Sequence, residues 1–160
     1  MKSIKEAEIK KGTKVLVRVD WNVPILPIGS AEKETDAILD DSRIVTTLQT
    51  IEFIKNAGGT PFIISHFGRE GDSLMMVFNF VKEKFPEVFG KAEFISDLSS
   101  DFSKSEADVF VIENLRKWEG EEKNDLEFAK QLASLSDVYV NEAFSVSHRK
   151  HASIVSVPKL

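Results

Sequence analysis

Three of the five arginines in this 160-residue chain lie within nine residues of the end of an apolar run. Arg69 follows residues 60–64 in Ser65-His66-Phe67-Gly68-Arg69. Arg116 follows residues 108–112 in Glu113-Asn114-Leu115-Arg116. Arg149 closes the stretch that follows residues 137–140. A fourth, Arg43, falls in the first turn of a predicted helix, where the macrodipole disfavours a cation and an anion nearby would relieve the conflict. Guanidinium groups suit bidentate contact with carboxylate and phosphate. Converging arginines without apparent partner acids therefore point to an anion site. Three or four charge-assisted bonds, each worth about 1.5–3 kcal/mol, could hold a small phosphorylated acid. Asp20 and Asn22, behind the first apolar run, could exchange hydrogen bonds with a hydroxyl of the same ligand. His66 adds a second cation beside Arg69, and Gly68 between them serves the turn.

These groups need a scaffold that brings strand ends together. Residues 14–19, KVLVRV, read as a β-branched strand. Residues 20–41, with Pro24, Pro27 and Gly29, read as a long loop, and long loops are often functional. Ile44, Leu48, Ile51 and Ile54 recur at helical spacing over residues 42–57, with Asp41 or Ser42 to cap the start and Gly58 to stop the helix. A strand over 60–64 follows, then a helix over 73–85 with Leu74, Val77, Phe78, Val81 and Phe85 on one side. Strands over 92–95 and 108–112, a helix over 124–135 with Leu126, Ala129, Leu132 and Ala133 inward, and a strand over 137–140 complete the series. Alternating strands and helices predict an α/β fold, and strands apolar on both faces predict a parallel sheet covered on both sides. The expected architecture is a three-layer α/β/α, Rossmann-like single domain over residues 1–160. Ligands in such folds bind beyond the carboxyl ends of the strands.

Composition narrows the options. The formal net charge of −5 argues against nucleic-acid binding, which needs a basic surface. With no cysteine, neither disulfides nor a thiolate metal site can form. No run approaches the roughly 18 apolar residues of a membrane span, and the N-terminus lacks a signal-peptide core, so a cytoplasmic protein is expected. His148 and His151 alone do not make a metal site, and none is expected. Glu119, Glu121, Glu122 and Lys123 read as a solvated charge run without chemistry. No phosphate-binding glycine motif is present.

Four strings carry a resemblance: "KVLVRVDWNVP", "DDSRIVTTLQTIEFIKNAGGTPFIISHFGR", "VIENLRKWEGEEKND" and "DVYVNEAFSVSHRKHAS". In this order they resemble the N-terminal, 3-phosphoglycerate-binding domain of phosphoglycerate kinase, over nearly the whole chain. The resemblance implies a substrate site at Asp20, Trp21, Asn22, Arg43, His66, Phe67, Gly68, Arg69, Arg116 and Arg149. It implies that Arg43 also stabilises the transferring phosphoryl group, as the catalytic residue. Asp20 and Asn22 would hold the glycerate end, and the other cations would clamp the substrate phosphate. The implied reaction, in glycolysis, moves a phosphoryl group directly between 1,3-bisphosphoglycerate and Mg-ADP, so catalysis is positioning plus charge neutralisation.

Family members carry a second α/β domain that binds Mg-ADP or Mg-ATP. This chain stops before it, so the expectation is a substrate-binding half that holds no cofactor, is inactive alone, and belongs to a monomeric enzyme. A stand-alone anion-binding or interaction module and one half of a split kinase are the alternatives. Three substitutions depart from the family pattern. Glu70 replaces the usual proline and places a negative charge beside Arg69, Glu142 replaces aspartate, and Ser145 replaces a glycine whose backbone freedom it lacks. The loop over 24–40 also looks longer than usual.

Overall fold

The computed structural model describes residues 3–26, 37–102 and 104–160. Pro27 and Gly29 of the predicted loop lie outside the described residues. The elements are β1 (Lys14–Arg18), β2 (Ile25–Leu26), β3 (Ala37–Ile38), α1 (Ser42–Asn56), β4 (Thr60–Ile64), α2 (Met75–Lys84) and α3 (Pro86–Phe89). They continue with β5 (Ala92–Ile95), β6 (Val109–Ile112), α4 (Glu119–Glu122), α5 (Leu126–Ala133), β7 (Val138–Asn141) and α6 (Ala152–Val155).

Five strands form one parallel sheet in the order β5-β6-β4-β1-β7. Side-chain alternation sorts its residues into two cores. Val15, Val17, Ile63, Val109 and Val111 join Ile44, Ile51, Ile54, Val77 and Val81 of α1 and α2 on one face. Leu16, Phe62, Ile64, Phe110 and Ile112 join Phe128, Ala129 and Leu132 of α5 and Ala152 of α6 on the other. The three-layer α/β arrangement is therefore as expected. Because every strand of the sheet is parallel, the segments after β1, β4, β6 and β7 emerge on the same edge. Among the described residues, no helix is long and apolar enough to cross a membrane.

Differences from the sequence reading have local causes. The stretch expected as plain loop carries a short antiparallel pair, Ile25 opposite Ile38. Neither Asp41 nor Ser42 caps α1 with its side chain. Asp40 Oδ1 accepts from the Ser42 N–H at 2.9 Å, while Asp41 pairs with Lys84 at 2.6 Å. The α2 helix starts at Met75 rather than residue 73, with Leu74 at its N-cap and the Leu74 N–H donating to Glu113 Oε1 at 2.8 Å. Asn124 does not open α5. It stands at φ 52°, in the left-handed region that Asn tolerates, and Asp125 caps the helix by accepting from the Phe128 N–H. Leu126, expected to face inward, lies half-exposed in the first turn of α5.

Candidate functional site

The crevice is built from β1 outward. Behind it, Asp20 is 9% exposed. Its Oδ2 accepts from Arg43 Nη1 at 2.9 Å and from the Ser145 hydroxyl. Arg43 also donates to the Asn22 carbonyl at 3.1 Å. The cation in the first turn of α1 thus has an acid in the chain itself, contrary to the expectation of unpartnered arginines. Burial pushes the Asp20 carboxyl up, but the Ser145 hydrogen bond, His66 (charged only at the low pH where Asp20 titrates) and the Arg43 charge reverse this and hold it below its ordinary value. Ser145 needs no glycine-like backbone, because Asn124 is the one non-glycine residue with positive φ among the described residues. Its hydroxyl instead supplies an oriented donor. Glu142 turns the other way and accepts from Thr50 Oγ1 at 2.7 Å.

The loop after β4 is tied to this assembly. The Gly68 N–H donates to Asn22 Oδ1 at 2.9 Å. Gly68 stands at φ 47°, and a Cβ there would meet Asp72 Oδ2 at 2.1 Å, so a side chain would be strained by the left-handed backbone and would displace the Asp72 carboxylate. Arg116, from the 3-10 turn Leu115–Lys117, donates through Nη1 to the Gly68 carbonyl and lies 3.4 Å from Glu122. It too has a partner acid. Asn22, Pro24, Phe67, Gly68, Asp72 and Met76 line a cavity of about 420 Å³ beside these groups. Arg69 and Arg149 are exposed, and among the described residues neither guanidinium has a hydrogen-bond or ion-pair partner. Glu70 forms no ion pair with Arg69 among the described residues. It shares the wall of a second cavity, of about 230 Å³, with Arg116 and Glu122.

His66 is not the cation that its sequence context suggested. It is 7% exposed, and its Nδ1 lies 3.1 Å from Arg18 Nη2. Burial first, then the charges of Arg18, Arg116 and Arg149, push its pKa down to about 4 against the pull of Asp20. The ring is neutral at neutral pH. Since the unfolded ring takes its proton near 6.5, folding must strip that proton at lower pH, so stability is full above 6.5 and falls as pH drops towards about 4. The loss from this group should be on the order of 2 kcal/mol by about pH 5. Urea unfolding of the chain and of His66→Gln at pH 7 and pH 5 checks this; a variant that loses as much stability as the parent would place the effect elsewhere.

Trp21 does not face the crevice either. Its ring is fully buried against Phe89, and its Nε1–H donates to Thr47 Oγ1 at 3.1 Å. Phe67 is buried too, and both its backbone groups are held by Asn114.

Three residues were not singled out in the sequence. Asn114 is fully buried, and its amide joins the loop after β4 to the turn after β6. Oδ1 accepts from the Phe67 and Arg116 N–H groups, and Nδ2 donates to Phe67 O and Asp72 O at 2.7 Å, with Arg69 O at 3.1 Å. Arg18, 1% exposed, lies beneath the site. Glu121, placed in a solvated charge run by the sequence, is also 1% exposed. It accepts from Ser153 N at 2.9 Å and from Ser153 Oγ at 2.5 Å. The charge run does hold for Glu119 and Lys123, an exposed i,i+4 pair. A charged residue inside a strand apolar on both faces was the available signal for Arg18. Nothing in Glu-Gly-Glu-Glu-Lys marks the second glutamate as the buried one.

The chain resembles known proteins over nearly its full length. The model of the family described as phosphoglycerate kinase matches residues 4–160. A phosphoglycerate kinase of Wolbachia pipientis subsp. Culex pipiens is 42% identical over 148 residues, covering 88% of this chain and 35% of that protein. One from Trichodesmium erythraeum is 41% identical over 157 residues, covering 92% and 37%. The solved phosphoglycerate kinase of Coxiella burnetii superposes with a TM-score of 0.75 at 31% identity, covering 94% of this chain and 37% of that one. That of Pyrococcus horikoshii OT3, at 24% identity and a TM-score of 0.76, shares the fold. The chain spans little more than a third of the length of these curated relatives.

Proposed function

We propose, for a chain that belongs to the phosphoglycerate kinase family, that it binds 3-phosphoglycerate and 1,3-bisphosphoglycerate at the carboxyl edge of its sheet. The observation that carries this reading is the crowding of cations there. Arg18, Arg116 and Arg149 all act electrostatically on His66, and Arg43 joins the same cluster through Asp20. Arg69 and Arg149, free of internal partners among the described residues, are the groups best able to take the substrate phosphate. Asp20 and Asn22 would meet the glycerate end. Arg43, half-exposed and held at one nitrogen by Asp20, would neutralise charge on the transferring phosphoryl group.

In the transfer, a nucleotide oxygen would attack the acyl phosphate and the carboxylate would leave with the bonding pair. No nucleophile or general base is needed from the protein. Mg-ADP or Mg-ATP, the second substrate, would be held by a further domain and not by these residues, and the chain alone would not turn over. Closure of that domain on this one would complete the site around Arg43. A cytoplasmic location and a monomeric whole enzyme go with this reading.

Calorimetric titration with 3-phosphoglycerate tests it. Binding at millimolar or better affinity, weakening with added salt, is expected. Arg149→Ala and Arg69→Ala should each weaken it roughly ten- to hundredfold, the equivalent of one charge-assisted contact. An absence of both heat and amide shifts at His66, Arg69 and Arg149 with ligand at tens of millimolar would overturn the assignment.

A further inference from the structure

A buried polar chain runs from the helical side of the sheet to His66. Ser153 Oγ donates to Glu121 Oε1 at 2.5 Å and accepts from Arg18 Nε at 3.0 Å. The Arg18 guanidinium then reaches His66 Nδ1 through Nη2 at 3.1 Å and the Val19 carbonyl through Nη1. Alternation along β1 explains the geometry. Arg18 shares the face of Leu16, against which α6 packs, while its fork spans the strand end. All three members, Glu121, Ser153 and Arg18, are at most 1% exposed. Burying a charge pair is costly and does not by itself stabilise the fold, which leaves the chain's direction to be explained.

The direction follows from donor inventory. A guanidinium has five N–H donors and no acceptor. His66 Nδ1 must therefore offer its lone pair, and the ring proton must sit on Nε2. That nitrogen has no hydrogen-bond partner among the described residues, and the nearest acid oxygen, Asp20 Oδ1, is 3.9 Å away, beyond hydrogen-bond range. We infer that Glu121 and Ser153 are positioning residues which, through Arg18, fix His66 as a neutral imidazole with its proton on Nε2. The ring then offers the crevice a directed hydrogen bond and no charge.

The charged groups around the ring fit this assignment. Arg18 of β1, Arg116 of the turn after β6 and Arg149 of the segment after β7 all oppose a second proton, and Asp20 after β1 favours it. Glu121 has the largest attraction for Arg18, and the Ser153 hydroxyl keeps the two apart. Without that hydroxyl, Arg18 is free to move towards Glu121 and away from the ring. The inference rests on the phosphoglycerate reading only for the identity of the ligand that would accept the bond.

Long-range 1H–15N spectra of the histidine rings in the ligand-free chain test it. The expected result is a single Nε2–H tautomer for His66, unprotonated at pH 5.5. An Nδ1–H tautomer, or an ordinary midpoint near 6.5, overturns the inference. Ser153→Ala should raise the His66 midpoint and mix the tautomers in a folded chain, and Ser153→Thr, which keeps the hydroxyl, should restore both. A folded Ser153→Ala chain with an unchanged ring overturns the roles of Glu121 and Ser153. Should that variant not fold, slow solvent exchange of the Arg18 Nε–H in the parent decides the same point, and rapid exchange overturns it. If the tautomer is as expected but 3-phosphoglycerate causes no shift, the relay stands and the proposed substrate falls.

Discussion

Glu121→Ala is expected to cost about 3–5 kcal/mol of folding stability, the range for removing one member of a buried charge pair. The substitution leaves Arg18 without its countercharge and the Ser153 N–H and hydroxyl without their acceptor. A domain of this size is stable by about 5–15 kcal/mol, so roughly a fifth or more would be lost. The contrast with its neighbours makes the test specific. Glu119 and Glu122 lie one turn or less away in the same charge run, with side chains 74% and 58% exposed. Their alanine variants should change stability by about 0.5 kcal/mol or less. Urea unfolding of the three variants decides, and equal costs would refute the buried network as a structural element.

Asn114→Ala should be the next most damaging change. It removes the one amide that serves the Phe67 N–H and C=O, the Asp72 C=O and the Arg116 N–H together. Leaving several buried backbone groups unpaired is expected to cost about 2–4 kcal/mol. Asn114→Asp should do little better, since a carboxylate cannot donate to the two carbonyls. The effect should also be local. Hydrogen exchange at Phe67 and Arg116 should lose its protection, and 3-phosphoglycerate affinity should fall at least tenfold because the backbones of Arg69 and Arg116 lose their common anchor. Protection unchanged at Phe67 in a folded variant would show that the loop holds its shape without the amide.

Much of this was legible from residue pattern. β4 and β5 fall on their predicted bounds, and β1, β6 and β7 within one residue; for β1, β4 and β6, runs apolar on both faces have few other places to go. The strand-end loops carrying Asp20, His66, Arg116 and Arg149 followed from parallel pairing alone. Protonation and partnership were not legible. The charge of His66 depends on Arg18, 48 positions earlier, and the pairing of Arg43 on Asp20, 23 positions earlier. The start of α2 was missed by two residues, and the Glu113 carboxylate that accepts from the N-cap Leu74 N–H lies 39 positions later. Tertiary contacts decide each of these, and periodicity does not record them. Ser145 shows the same limit. Read as the loss of a flexible backbone, it proves to be the gain of a hydroxyl bonded to Asp20.

The strand order has a consequence for how the molecule comes to be made. β1 is the first strand of the sheet to be synthesised, yet one of its edges is covered only by β7, the last. The Lys14 N–H waits for Asp137, 123 positions away, and Arg18 waits for Ser153 still longer. Contacts of such separation close slowly, because the chain entropy of the intervening loop is lost first. Until then β1 presents an open, apolar edge to other nascent chains. The crevice therefore depends on contacts expected to close late, and the same pairing that covers the inner edge of β1 also buries Arg18.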